Sequence, residues 1–178
     1  MSERLEVILA GNGGQGIVLA GVILAEAAAT HDGRNAAQTQ SYGPAARGGT
    51  CKAEIVISDR EIDYPKVSRA DVLLVMSQEA CDEYCDAVSD AGLLIVDSVL
   101  VDQPPEAKAH HIPITRIAEQ AGGRLHAANM VGLGIVVGLT GAVSPEAIES
   151  TVRHRVPAGS VESNLDAFRA GLDLGRQL

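Results

Sequence analysis

The chain has 178 residues, 46% of them hydrophobic and 21% charged, which suits one well-buried core, or a core plus an appendage, and excludes a disordered chain. Against 23 Asp and Glu there are only 14 Lys and Arg, a formal charge of −9, so phosphate backbones are repelled and nucleic acid is not an expected partner. Aromatic residues make up 2% with no Trp, so platforms for stacking bases or sugars are scarce.

The start, MSERLEVILAG, carries Glu3, Arg4 and Glu6 where a signal peptide needs an apolar stretch. Three cysteines, Cys51, Cys81 and Cys85, are an odd count that fits a reducing cytoplasm better than a disulfide scaffold. Leu5–Ala10 then reads as a short buried strand. It runs into the turn Gly11-Asn12-Gly13-Gly14-Gln15-Gly16 and a helix over Ile17–Ala29 that is apolar on nearly every side.

Asn35–Gln40 is the next expected strand, and Cys51–Ser58 alternates Ala53, Ile55 and Ile57 with Lys52, Glu54 and Ser58. Asp59-Arg60 followed by Glu61–Tyr64 predicts a β-hairpin, hence a mixed sheet. Asp71–Met76 and Leu93–Asp97 flank a helix Gln78–Val88 in a βαβ step, with Ser77 as the helix cap. A weaker strand is expected over Ala109–Ile114.

Three helices finish the chain: Ala127–Gly141, Pro145–His154 behind Ser144, and Ser160–Leu174. The longest uncharged apolar run, Ala127–Val143, falls short of the roughly 20 residues a membrane span prefers, and it contains Asn129 and several glycines. No membrane partner is expected. The pattern predicts one α/β domain over residues 1–178, a three-layer α/β/α Rossmann-like fold with a mixed sheet. The apolar helices Ile17–Ala29 and Ala127–Val143 offer more uncharged surface than a small domain covers, so self-association is also expected.

Two segments carry the candidate chemistry. GNGGQG satisfies G-x-G-x-x-G between a strand and a helix, where glycines let a ligand approach the backbone and the helix N-terminus favours an anion. The acid that should hold a ribose is missing, however: the second strand ends in the uncharged Gln38-Thr39-Gln40. A glycine-rich turn that serves only to seat the helix explains the motif as well.

The second segment, QTQSYGPAARGG over Gln38–Gly49, sets Tyr42 in a turn and leaves Arg47 between flexible residues, free to fork onto a carboxylate or phosphate. An ordinary surface ion pair is the alternative for Arg47. Asn129, near His126 on an apolar helix start, must satisfy its amide by capping a loop or meeting a partner. Cys81 and Cys85 would share one helix face, but no second Cys/His pair completes a metal site.

Together GNGGQG, QTQSYGPAARGG, KAEIVISDREIDYP (52–65), ADVLLVMSQEA (70–80) and AANMVGLG (127–134) resemble, in order, the gamma subunit of the 2-oxoacid:ferredoxin oxidoreductases. The wording is most like the 2-oxoglutarate type, with the pyruvate, branched-chain and indolepyruvate types as alternatives. The resemblance implies a subunit of an enzyme that decarboxylates a 2-oxoacid, passes the acyl group to coenzyme A and reduces ferredoxin. Thiamine diphosphate, magnesium and iron–sulfur clusters would then lie on alpha-, beta- and delta-type partners, and no catalytic or metal-binding residue is expected here. Coenzyme A would meet Gly11, Gly13, Gly14, Gln15 and Gly16 together with Ser41, Tyr42, Gly43, Arg47, Gly48 and Gly49. A stand-alone adenine-nucleotide module and a purely structural spacer are the rival readings.

Overall fold

Alternation of side chains along each strand decides which helices go where. In the computed structural model, which describes residues 4–43, 49–105, 109–122 and 127–178, six strands form one sheet. They are β1 (Arg4–Asn12), β2 (Asn35–Tyr42), β3 (Thr50–Ser58), β4 (Ala70–Val75), β5 (Val88–Asp97) and β6 (Ala109–Ile112). Their order is β2-β3-β1-β4-β5-β6. β3 is antiparallel to both of its neighbours, while β4, β5 and β6 continue parallel to β1.

On one face Val7, Leu9, Ile55, Ile57, Val72, Leu74 and Ile95 join the main core. They are covered by α1 (Ile17–Thr30) and by the helices of the C-terminal half. On the other face Ile8, Ala10, Leu73, Val75, Leu94 and Val96 pack with Ala80 and Cys81 of α2 (Gln78–Tyr84). The three layers are therefore lopsided, with α2 and the short turn that follows it beneath β1, β4 and β5 among the described residues. Below β2 and β3 the sheet stays polar: Lys52 Nζ lies 2.9 Å from Glu54, which also accepts from Thr39 Oγ1 at 3.1 Å.

The mixed sheet is present, but its hairpin is not where the sequence placed it. Glu61–Tyr64 forms no strand; β3 instead folds back on β2 through the segment after Tyr42. β3 then lies between β2 and β1, an arrangement that local alternation cannot reveal.

The expected strand Ala109–Ile114 stops at Ile112, and α3 (Ile114–Gly122) follows, a helix missing from the sequence reading. Its start is fixed from a distance: the fully buried Asp97, at the end of β5, accepts from Thr115 N at 3.2 Å and Thr115 Oγ1 at 2.5 Å. α2 also ends earlier than expected, passing into a 3-10 turn at Cys85–Ala87.

The remaining helices are α4 (Ala128–Thr140), α5 (Pro145–Arg155) and α6 (Val161–Gly175). Ser144 caps α5 and is itself anchored by Asp32, which accepts from its N and Oγ at 2.6 Å each. α4 is buried from Ala128 to Val137 by the sheet and α6, so it offers no spare apolar surface. Of the two apolar helices that the sequence offered for self-association, α4 is spent inside the fold, while Val18, Leu19 and Val22 of α1 stay half-buried. Among the described residues, no helix is long and apolar enough to cross a membrane.

Candidate functional site

The chain leaves β1 toward β2 by way of α1 on one face, and leaves β4 toward β5 by way of α2 on the other. The carboxyl ends of β1 and β4 thus flank the crevice where doubly wound sheets commonly bind dinucleotides. Here the loop's own side chains fill that crevice. Gln15 Oε1 accepts from Asn12 N at 2.6 Å, and its Nε2 donates to Met76 O at 2.7 Å.

Asn12 completes the closure. Its Oδ1 accepts from Ser77 Oγ at 3.0 Å, and its Nδ2 donates to Glu79 at 3.1 Å. The Glu79 carboxyl is held below its ordinary range by its own backbone N–H and then by the Asn12 amide. Gly11 belongs to this plug, since a Cβ there would lie 2.4 Å from Gln15 Oε1. Replacing Gln15 with Ala would strand Asn12 N and Met76 O, each worth about 1–3 kcal/mol when buried unpaired. Thermal unfolding should show the Gln15→Ala protein clearly less stable; an unchanged midpoint would mean that water satisfies both groups.

The loop turns its backbone the other way, toward α1 and the β2–β3 connection. Gly13 N donates to Gly49 O at 3.0 Å, and Gly43 N to Thr50 O at 2.6 Å. The two segments singled out in the sequence are thereby joined by a direct bond. Gly13, Gly14, Gly16, Val18, Leu19, Tyr42 and Cys51 line a cavity of about 290 Å³ beside this junction. Tyr42 is 65% exposed at its rim. Gly16, at φ +75, begins α1, and no side chain caps the helix, so its first-turn amides have no intrahelical partner. Gly14, at φ +94, stands with open space around its missing Cβ.

Asn129 enters from α4. Only 3% exposed, it donates from Nδ2 to Gly16 O at 3.0 Å, while its Oδ1 is buried without a partner among the described residues. The loop tie expected of this residue is what the fold uses it for. Asn129, Gly14 and Gly16 line a second cavity of about 210 Å³, closed by Leu19, Pro157, Ser160 and Asn164.

The other candidates divide. Ser41 is exposed on β2 opposite Lys52, on the polar face of the sheet. Arg47 and Gly48 lie outside the described residues, as does His126. Cys81 and Cys85 do share a face, with Sγ atoms 2.9 Å apart, and burial raises the Cys85 thiol. Cys51 is buried on β3, and among the described residues no three His, Cys, Asp or Glu side chains converge to hold a metal or cluster. Sequence reasoning missed Thr50, whose Oγ1 donates to Glu83 at 2.6 Å and ties the β3 start to α2. It also missed Asp97, for which no local motif gave a signal.

A family model described as pyruvate ferredoxin/flavodoxin oxidoreductase matches residues 6–174. The chain is 48% identical to 2-oxoglutarate synthase subunit KorC of Methanocaldococcus jannaschii, over 98% of this chain and 96% of that one. With ketoisovalerate oxidoreductase subunit VorA of Methanothermobacter thermautotrophicus the identity is 34%, over 98% of this chain but 37% of the relative. Among solved structures, the keto/oxoacid ferredoxin oxidoreductase gamma subunit from Geobacter sulfurreducens superposes with a TM-score of 0.88 at 44% identity. That match covers 99% of this chain and 98% of the other.

Proposed function

Because the chain belongs to the pyruvate ferredoxin/flavodoxin oxidoreductase family, we propose that it is the gamma-type subunit of a 2-oxoglutarate:ferredoxin oxidoreductase and forms part of its coenzyme A surface. In that reaction 2-oxoglutarate loses carbon dioxide, the succinyl group passes to the coenzyme A thiol, and two electrons reach ferredoxin. Thiamine diphosphate, magnesium and iron–sulfur clusters supply the carbon and electron chemistry from the alpha-, beta- and delta-type chains. The 2-oxoglutarate type is favoured over the branched-chain type by the 48% against 34% identity of the corresponding relatives.

The observation that carries the site is the Gly13 N to Gly49 O bond. It joins the glycine loop to Gly49, and the open N-terminus of α1 and Tyr42 line one cavity beside that junction. Amides at a helix N-terminus suit a phosphate or an oxyanion, and Arg47 follows five residues after Tyr42 in the same segment. A dinucleotide lying in the β1–β4 crevice would have to displace Gln15 and Asn12, which disfavours the stand-alone nucleotide module.

Replacing Arg47 with Ala in the assembled complex should raise the KM for coenzyme A about tenfold, equivalent to roughly 1.4 kcal/mol. Coenzyme-independent decarboxylation should stay near its original rate. A coenzyme A dependence unchanged in an intact complex would remove the recognition role. Oxidation of 2-oxoglutarate in preference to pyruvate and 2-oxoisovalerate tests the substrate assignment.

A further inference from the structure

β2 closes the sheet on one side, and among the described residues no strand pairs with its outer edge. Natural edge strands are commonly blunted by Lys, Pro, a bulge or short length. β2 reads NAAQTQSY, eight residues with no charge and no proline. Its ladder to β3 runs unbroken from Asn35 opposite Ser58 to Tyr42 opposite Cys51. The other edge, β6, has only four residues.

The phase of the edge follows from one bond. Gly43 N donates inward to Thr50 O, so in an antiparallel pair Ser41, Thr39 and Ala37 also turn their backbone groups toward β3. Ala36, Gln38, Gln40 and Tyr42 therefore turn their N–H and C=O groups outward. The free edge starts at Ala36, because Arg34 N is already spent on Ala28 O at 3.0 Å.

We infer that β2 pairs antiparallel with β2 of a second copy of this chain, about a twofold axis at Thr39, to make one continuous sheet. This register sets Ala36 opposite the second copy's Tyr42 and Gln38 opposite its Gln40, so all of the outward backbone groups find partners. The two Thr39 side chains meet in a non-hydrogen-bonded pair, where threonines are well placed to interact. The segment is also the right one electrostatically: two chains of charge −9 can meet along a stretch without a single charged side chain. The inference rests on the edge alone, not on the coenzyme A reading, and its test involves no coenzyme.

Three variants of the chain test it. Gln40→Pro removes an outward N–H and costs the β2–β3 ladder nothing, since edge strands tolerate proline at such positions. Thr39→Cys should link two copies under copper–phenanthroline oxidation, because non-hydrogen-bonded pairs bring Cβ atoms within disulfide range. Ala37→Cys would face the second copy's Ser41 and should not link. The wild-type chain, with its three native cysteines, controls for other thiols. We expect sedimentation of the wild type at twice 18.4 kDa, of Gln40→Pro at 18.4 kDa with unchanged circular dichroism, and crosslinking of Thr39→Cys alone. A monomeric wild type at 100 µM, a dimeric Gln40→Pro, or equal crosslinking of Ala37→Cys would overturn the pairing. Loss of a partner subunit rather than of the dimer from Gln40→Pro would overturn it too, by assigning the edge to another chain.

Discussion

Adding a single methyl group at Gly171 is expected to destabilise the protein by about 3 kcal/mol or more, at the upper end of what overpacking costs. A Cβ built there would lie 2.0 Å from Val131 O, and one on Gly134 would lie 2.1 Å from Phe168 O. Gly138 and Gly175 repeat the pattern one turn on, against Leu172 O at 2.6 Å and Ile135 O at 2.5 Å. α4 and α6 therefore meet backbone to backbone along a strip of reciprocal glycines. The obstructing atoms are carbonyls held in helices, which cannot rotate aside as a side chain would.

To admit the methyl the helices must part, and every buried contact between Met130–Val137 and Leu165–Leu172 loosens with them. Gly159→Ala is the matched control, because nothing lies within 4 Å of its Cβ position; its stability should stay within about 0.5 kcal/mol of wild type. Urea unfolding of Gly171→Ala, Gly134→Ala and Gly159→Ala measures all three on one scale. If Gly171→Ala unfolded at the wild-type midpoint, the close crossing of α4 and α6 would be wrong.

The same helices show where sequence reading succeeds and where it stops. The short unbroken apolar run Val72–Met76 marks a strand covered on both faces, and the alternation at Cys51–Ile57 marks one whose burial repeats with the strand's own period. GNGGQG announced a strand–turn–helix unit because positive φ at Gly14 and Gly16 demands glycine. What escaped were features held by distant residues. α3 starts where Asp97, 18 residues upstream of Thr115, supplies its cap. Local alternation points to the nearest polar stretch, Glu61–Tyr64, as the hairpin partner of β3, whereas the fold uses β2.

In the candidate site the split is similar. Spacing revealed the loop but not the direction in which it faces. Gln15 looks, in sequence, as available to a ligand as Gly14 does. In the fold its amide is spent at both ends on Asn12 and Met76, while Gly13 and Gly14 remain at the surface. The bonds that turn the loop's backbone toward β2 and β3 involve Gly49 and Asn129, 36 and 113 residues from their partners Gly13 and Gly16.

That dependence on Asn129 gives the second large effect, at Gly16. Its φ of +75 makes any side chain strained by roughly 1–2 kcal/mol. A Cβ would in addition lie 2.4 Å from Asn129 Nδ2 and 3.0 Å from its Cγ. Moving Asn129 aside breaks its bond to Gly16 O and leaves the buried amide without a partner among the described residues, where its Oδ1 has none already. Together these costs come to about 3 kcal/mol for Gly16→Ala.

The two contributions can be separated. With Asn129 already replaced by Ala, the steric conflict and the amide loss are gone, and only the backbone strain of about 1–2 kcal/mol should remain. A double-mutant cycle by urea unfolding should therefore show Gly16→Ala costing less in the Asn129→Ala protein than in the wild type. Equal costs in both backgrounds would mean that Asn129 does not hold the loop. In the assembled complex Gly16→Ala should also raise the KM for coenzyme A, because it displaces the first-turn amides of α1 that are proposed to meet the coenzyme. Stability and KM would then move together for Gly16→Ala, whereas Gly159→Ala, whose Cβ would meet nothing within 4 Å, should move neither.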